Sequence, residues 1–143
     1  MAGTSHTEVF NCTPQEVFNI IKDYEKYPEF LAEVKKCKVL KTEGNRKLVE
    51  FSVSVVKSFT YTIWLTEKEP TELTWEFASG DIFKSQKGHW KLKEEAGKTR
   101  VEYAVEAEFK MFMPGAIAKT LVSVNLPAMM SAYHKRIQTL YGK

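Results

Sequence analysis

The chain has 143 residues, 43% hydrophobic and 27% charged, an ordinary globular composition at about the commonest length for one domain. Twenty-one Lys and Arg against eighteen Asp and Glu leave a net charge of +3, too small a surplus to imply DNA or RNA without clustering. The two basic stretches, Lys35-Lys36-Cys37-Lys38 and Lys84 to Lys93, are interrupted by apolar or acidic residues and read as solvated strand faces and edges.

No apolar run approaches the ~18 residues that span a bilayer, and Met1 to His6 has neither the basic start nor the apolar stretch of a secretory signal. The expectation is one soluble, cytoplasmic domain over residues 1–143. Cys12 and Cys37 are far apart, with no C-x-x-C and no paired His spacing, which predicts free buried thiols and neither a structural metal nor a cofactor.

Thr4 to Cys12 alternates well enough for a short strand and stops at Thr13-Pro14-Gln15-Glu16, a capping box with proline at the first helical position. The helix that starts at Pro14 has Val17, Phe18, Ile20 and Ile21 for a core face. It should end near Asp23 or Tyr24, since Pro28 disfavours helical geometry at Tyr27. A helix-terminating turn explains Asp23, Tyr27 and Pro28, with the Asp23 carboxylate bonding nearby amides. A second short helix is expected around Glu29 to Val34.

From Lys38 to Lys110 the period becomes two, broken by turn signals at Gly44-Asn45, Pro70-Thr71, Gly80-Asp81 and Gly97-Lys98. Six strands fit, at 38–43, 46–56, 58–67, 72–79, 82–93 and 98–110. Val49, Phe51, Val53 and Val55 share a face with Phe59, Tyr61, Ile63 and Leu65, and the series continues through Leu73, Trp75, Phe77, Trp90, Leu92, Val101, Tyr103, Val105, Ala107 and Phe109. The other face carries Glu50, Ser52, Thr60, Thr62, Glu76, Lys91, Arg100, Glu102 and Glu106. One wet face and one apolar face define an antiparallel sheet covered on one side.

Met113 to Leu140 lacks strand alternation. A helix of 28 residues from Pro114 to Tyr141 would be about 40 Å long, enough to cross the sheet. Ile117, Leu121, Val124, Ala128, Tyr133, Ile137 and Leu140 form its expected apolar stripe. Pro127 should kink it and leave an unpaired carbonyl near Ser123.

Strand, two short helices, six strands and a long helix is an α+β layout that resembles the helix-grip fold. Asp23-x-x-x-Tyr27-Pro28-Glu29-Phe30 and Gly88-His89-Trp90-Lys91-Leu92 resemble segments of the polyketide cyclase/dehydrase-like branch of the START (SRPBCC) superfamily. Within it the chain is similar to coenzyme-Q-binding proteins and to bacterial ribosome-association toxins. The chain departs from that pattern at Ala32, where many relatives have proline, and at Gln86, where an apolar residue is common. The resemblance implies a curved sheet of about seven strands around the C-terminal helix, with a hydrophobic molecule held between them.

The ligand-lining residues expected on that basis are Phe51, Val53, Phe59, Tyr61, Ile63, Trp75, Phe77, Gln86, Trp90, Tyr103, Val105, Ile117, Leu121 and Val124. Tyr61, Tyr103 and Gln86 bring polar groups that need partners when buried. The leading expectation is carriage of a lipid, quinone or polyketide-like compound, with no cofactor. One alternative is a cyclase or dehydratase, for which Tyr61, Tyr103 and the outward-facing Glu50 are the acid/base candidates. Another is an interaction module contacting a ribosome or a membrane surface. His6, His89 and His134 have no motif-placed Ser, Cys or Asp beside them, which argues against a hydrolase. His89 is expected to be exposed and His134 to act as a cation near a helix end. The stretch Phe109 to Gly115 is a candidate gate over the cavity mouth or a packing segment against the first helices.

Overall fold

The computed structural model describes residues 2–55, 57–123 and 126–143. Its elements are β1 (Ala2–Phe10), α1 (Pro14–Ile21), a 3-10 helix (Tyr24–Glu29), β2 (Val34–Glu43), β3 (Arg46–Ser54), β4 (Ser58–Lys68), β5 (Glu72–Gly80), β6 (Phe83–Glu95), β7 (Lys98–Phe109), α2 (Gly115–Ser123) and α3 (Leu126–Tyr141). The strands form one antiparallel sheet in the order β1-β7-β6-β5-β4-β3-β2. β1 pairs with β7 while β2 lies at the opposite edge, so α1 and the 3-10 helix cross the full width of the sheet between them.

The alternation in the sequence carries directly into this sheet. Register sets Phe51 beside Tyr61, Val49 beside Ile63 and Trp90 beside Tyr103. Val49, Val53, Ile63, Leu65, Leu73, Trp90, Leu92, Val101 and Val105 are all buried. Val56, expected at the end of β3, lies outside the described residues.

α1 begins as its sequence requires. The Glu16 amide donates to Thr13 Oγ1 at 3.2 Å, and the Thr13 amide donates to Glu16 Oε1 at 3.0 Å. Val17, Phe18, Ile20 and Ile21 are the buried face. The expected second helix at 29–34 is corrected: the turn is a 3-10 helix at Tyr24–Glu29 with Pro28 inside it, and Val34 already pairs with Val53 in β2. Pro28 has no amide to sustain α-helical pairing, so the segment closes in tighter turns. Asp23 makes no side-chain cap bond there. Tyrosines hold the segment instead: Tyr27 donates to the Ile21 carbonyl, and Tyr24 donates to Glu67 Oε2 at 2.7 Å, beside Lys47.

The C-terminal helical region is described over Gly115–Ser123 and Leu126–Tyr141. Pro127 is the second residue described in α3; whether it kinks a rod continuous with α2 turns on residues 124 and 125, which lie outside the described residues. The expected orphan carbonyl near Ser123 adjoins residues 124 and 125, which lie outside the described residues. The apolar stripe is also corrected. Ala118 and Leu121 are buried in α2 and Met130, Tyr133 and Ile137 in α3, while Ile117 is 37% and Leu140 49% exposed. Ala128 is exposed too.

Tyr133 is the main contact between α3 and the sheet. Its ring meets Trp90 at 5.2 Å, Phe30 at 5.3 Å and Phe10 at 6.1 Å between centroids. Polar clasps flank it. His134 Nε2 lies 2.6 Å from Glu8 Oε2, and Arg136 donates to Glu29 at 3.0 Å with its guanidinium over the Phe30 ring. His134 therefore bridges α3 to β1 instead of serving the helix end. Burial alone would raise the Glu8 carboxyl, but hydrogen bonds from His134 and His6 outweigh it and hold Glu8 below the ordinary carboxylate range.

The β6–β7 turn has positive φ at both central residues, 52° at Ala96 and 80° at Gly97, the geometry of a type I′ hairpin. Gly97 adopts it freely, but Ala96 carries a Cβ into the left-handed region at a cost of about 1 kcal/mol. Ala96→Gly should therefore leave the fold stable or raise its stability, whereas Thr13→Ala should lower it by about 1 kcal/mol through loss of the helix cap. Urea unfolding checks both; a Thr13→Ala protein as stable as the parent would remove the cap from the list of stabilising contacts.

Candidate functional site

Between the inner face of the sheet and the C-terminal helices lies a narrow cavity of about 130 Å³. β3 and β4 contribute Phe51, Val53, Phe59, Tyr61 and Ile63; β5, β6 and β7 contribute Trp75, Gln86, Trp90, Tyr103 and Val105; α2 contributes Leu121. Eleven of the fourteen residues expected from the sequence thus meet around one space. Two others do not. Phe77 packs edge-on to Phe83, 6.4 Å between centroids, away from the cavity wall. Ile117 points outward on α2. Val124 lies outside the described residues.

The sequence reading missed Tyr27, Leu31, Glu33 and Val34, which close one side from the 3-10 helix, the turn after it and the start of β2, and Met129 and Tyr133, which close the top from α3. Phe83, Leu65 and Leu73 complete the wall. Phe83 escapes strict alternation because the β6–β7 register shifts between Phe83 and Ser85, so that odd-numbered Phe83 and even-numbered Gln86 both face inward.

Gly88 explains part of the Gly88-His89-Trp90 motif. It shares the inner face with Gln86 and Trp90, and the Trp75 ring lies directly on it: a Cβ at residue 88 would sit 2.2 Å from Trp75 Cζ2. Glycine is what lets an indole lie flat against the sheet here. Aromatic rings then tile the wall, with Phe51 and Tyr61 stacked at 5.4 Å and Trp90 against Tyr103 at 4.8 Å.

A line of polar groups runs through this apolar surround. The Tyr27 and Tyr133 hydroxyls adjoin one another, Tyr133 lies near Tyr103, Tyr103 near Tyr61, and Tyr61 faces the Gln86 amide. Burial is the main cause that pushes the phenols of Tyr27, Tyr61, Tyr103 and Tyr133 well above their ordinary value. They stay protonated at neutral pH and act as O–H donors, not as general bases. Glu50, the other acid/base candidate, is on the outer face, paired in register with Thr62 and Lys38.

A larger concavity of about 820 Å³ lies on the outer face, lined by Trp64, Glu76, Lys87, His89 and Glu106 among others. It is shallow and open, and its charges are already partnered: Lys87 with Glu106 at 3.1 Å, and Arg46 with both Glu76 and the Trp64 ring. His89, half-buried there, has no catalytic partner among these residues. Among the described residues no group of three or more His, Cys, Asp or Glu is disposed to hold a metal ion, and no helix is long and apolar enough to cross a membrane. The segment considered as a gate, Phe109 to Gly115, leaves Met111 56% and Phe112 88% exposed, so those two side chains do not pack onto the first helices.

The family model for polyketide cyclase/dehydrase and lipid transport proteins matches residues 11–133, and the chain belongs to that family. Solved structures share its fold at low sequence identity. A START superfamily protein from Mycobacterium smegmatis superposes with a TM-score of 0.85 at 20% identity, covering 98% of this chain and 99% of that one. The Zhui aromatase/cyclase from a Streptomyces species gives 0.83 at 14% identity, over 98% and 96%. A STAR-related lipid transfer protein from Xanthomonas axonopodis gives 0.75 at 14% identity, over 95% and 85%. The helix-grip architecture expected from the sequence is thereby established.

Buried thiols and phenols make the fold sensitive to alkali. Burial raises the Cys12 thiol to about 11 and the Cys37 thiol to about 12. In the unfolded chain thiols ionise near about 8.5 and phenols near about 10. Native protein therefore holds more protons than unfolded protein above about pH 8.5, so stability is fully present below that pH and falls as pH rises toward 12. Thermal melts from pH 7 to 12 should show a falling Tm, with phenolate absorbance from the buried tyrosines appearing only as the fold opens. A constant Tm up to pH 11.5 would contradict this. Gly88→Ala should cost roughly 1–3 kcal/mol by driving Trp75 off the sheet, visible as a change in near-ultraviolet circular dichroism.

Proposed function

We propose that this protein binds and carries a hydrophobic small molecule in the space between its sheet and its C-terminal helices. The observation that carries the reading is the cavity itself: largely apolar side chains from nine elements converge on unfilled space, and that space contains buried polar groups. A ligand site is typically such an apolar hollow with a few placed polar atoms. The family's description and the name of one fold relative, a lipid transfer protein, support a lipid or polyketide-like compound; a quinone would fit the same apolar, ring-lined space.

Size narrows the reading. An apolar cavity of about 150 Å³ accommodates one benzene, so the 130 Å³ here takes a ring or a short alkyl segment and no more. A larger ligand would enter by displacing Leu121 and Met129, the aliphatic side chains that α2 and α3 lay over the cavity. Binding would be driven by apolar burial at about 25 cal/mol per Å².

One observation favours a second reading, a cyclase or dehydratase. Phenols held protonated beside a cavity can donate a proton or hydrogen bond to a ligand carbonyl, and general acid catalysis of that kind is worth roughly 10²–10⁴-fold in rate.

Ethylbenzene titrated into the protein, followed by tryptophan fluorescence from Trp75 and Trp90, tests the main reading. Saturable binding is expected, reduced at least tenfold in Leu121→Trp, whose larger side chain occupies the space. Unsaturable or unchanged response would contradict it. Tyr61→Phe and Tyr103→Phe separate carrier from enzyme: ethylbenzene binding should stay within about threefold, whereas turnover of a poly-β-ketone substrate by an enzyme would fall by roughly 10² or more.

A further inference from the structure

Gln86 stands in an inner wall that is otherwise almost wholly apolar and aromatic. It is 8% exposed, its side chain lines the cavity, and its backbone pairs with buried Ala107. A primary amide offers two N–H donors and a carbonyl acceptor. The Tyr61 hydroxyl faces it, and among the described residues no further hydrogen-bond partner meets that amide. An unpaired buried polar group costs about 1–3 kcal/mol, and a leucine or methionine here would avoid the cost. The cavity therefore presents an unfilled hydrogen-bonding position at a defined place.

The neighbouring groups fix the chemistry of what would fill it. Tyr27 already donates to the Ile21 carbonyl, and Tyr133 has Tyr27 as a neighbour. The Tyr103 hydroxyl, near that of Tyr61, has no protein partner among the described residues. What remains is a surplus of neutral donors: the Gln86 N–H groups and the O–H groups of Tyr61 and Tyr103. Such a set calls for an acceptor. The acceptor should be uncharged, because the lining includes no Lys or Arg and its one ionisable carboxylate is Glu33. The walls beside the donors are flat rings, Phe51 stacked on Tyr61 and Trp75 tilted against Tyr103 at 6.0 Å.

We propose that Gln86, with Tyr61 and Tyr103, forms a carbonyl-binding subsite, which orients a ring compound by its ketone oxygen while the aromatic wall holds the ring. The inference rests on the cavity being a ligand site. It narrows the ligand to neutral, carbonyl-bearing ring compounds, and away from fatty-acid carboxylates or phosphate headgroups at this depth.

Two probes of nearly the same planar shape test it: acetophenone, and α-methylstyrene, in which a methylene replaces the ketone oxygen. Both are titrated into the parent protein and into Gln86→Met, an unbranched apolar replacement of similar length. Gln86→Met should weaken acetophenone about 3- to 10-fold, the range of one hydrogen bond, and leave α-methylstyrene unchanged or tighter. The acetophenone carbonyl stretch should shift to lower frequency in the parent complex and return in the variant. Gln86→Met should also melt no lower than the parent, since it removes a buried amide whose hydrogen-bonding capacity is only partly used, and Tyr103→Phe gives a second variant with the same expected direction. If both probes change affinity by the same factor, Gln86 acts by packing and the subsite is overturned alone. If the parent binds neither probe, the cavity reading and the subsite fall together.

Discussion

The structure depends on one contact, the insertion of Tyr133 from α3 into the concave face of the sheet. An antiparallel sheet with one apolar face must have that face covered, and most of its strands supply only the face. Tyr133 joins the cover to three parts of the wall at once, β1 through Phe10, the turn before β2 through Phe30, and β6 through Trp90. Its burial fixes the height of the helix above the sheet. Everything that functions as a cavity lies in the space this one side chain holds open, and the clasps of His134 to Glu8 and Arg136 to Glu29 brace it from either side.

The same constraint accounts for the mixed character of the interior. A phenol that reaches across an apolar hollow brings a hydroxyl with it, and Tyr27, Tyr103 and Tyr61 continue that polar line toward Gln86. Complete filling by aliphatic residues would give a more stable protein. The chain instead keeps donors inside and leaves about 130 Å³ beside them. Stability is supplied elsewhere, by the tightly packed end where Phe10, Phe18, Ile21, Leu73 and Val101 are fully enclosed and Thr99 donates to the Cys12 carbonyl at 2.7 Å.

Much of this was legible in the residues before any coordinates. Period-two alternation places Phe51, Tyr61, Trp75 and Tyr103 on one face because a strand has only two faces to choose from. The capping box at Thr13 fixes where α1 starts for an equally local reason. What escaped was set by non-local geometry. Phe83 joins the wall through a register shift in β6. Tyr27 and Leu31 do so because a 3-10 turn folds back over the sheet edge, and Met129 from a position of α3 outside the stripe expected for that helix. Ile117 and Phe77 show the converse, apolar residues on plausible faces whose positions along the element carry them past the cavity.

The most direct measurement of the central claim is native mass spectrometry of the purified protein, followed by denaturation and organic extraction of the same sample. A hydrophobic ligand carried in the cavity predicts an added mass on the folded protein, its release on unfolding, and its loss in a variant whose cavity is filled. A folded protein of bare mass, with nothing extracted and no apolar compound restoring an adduct, would contradict it.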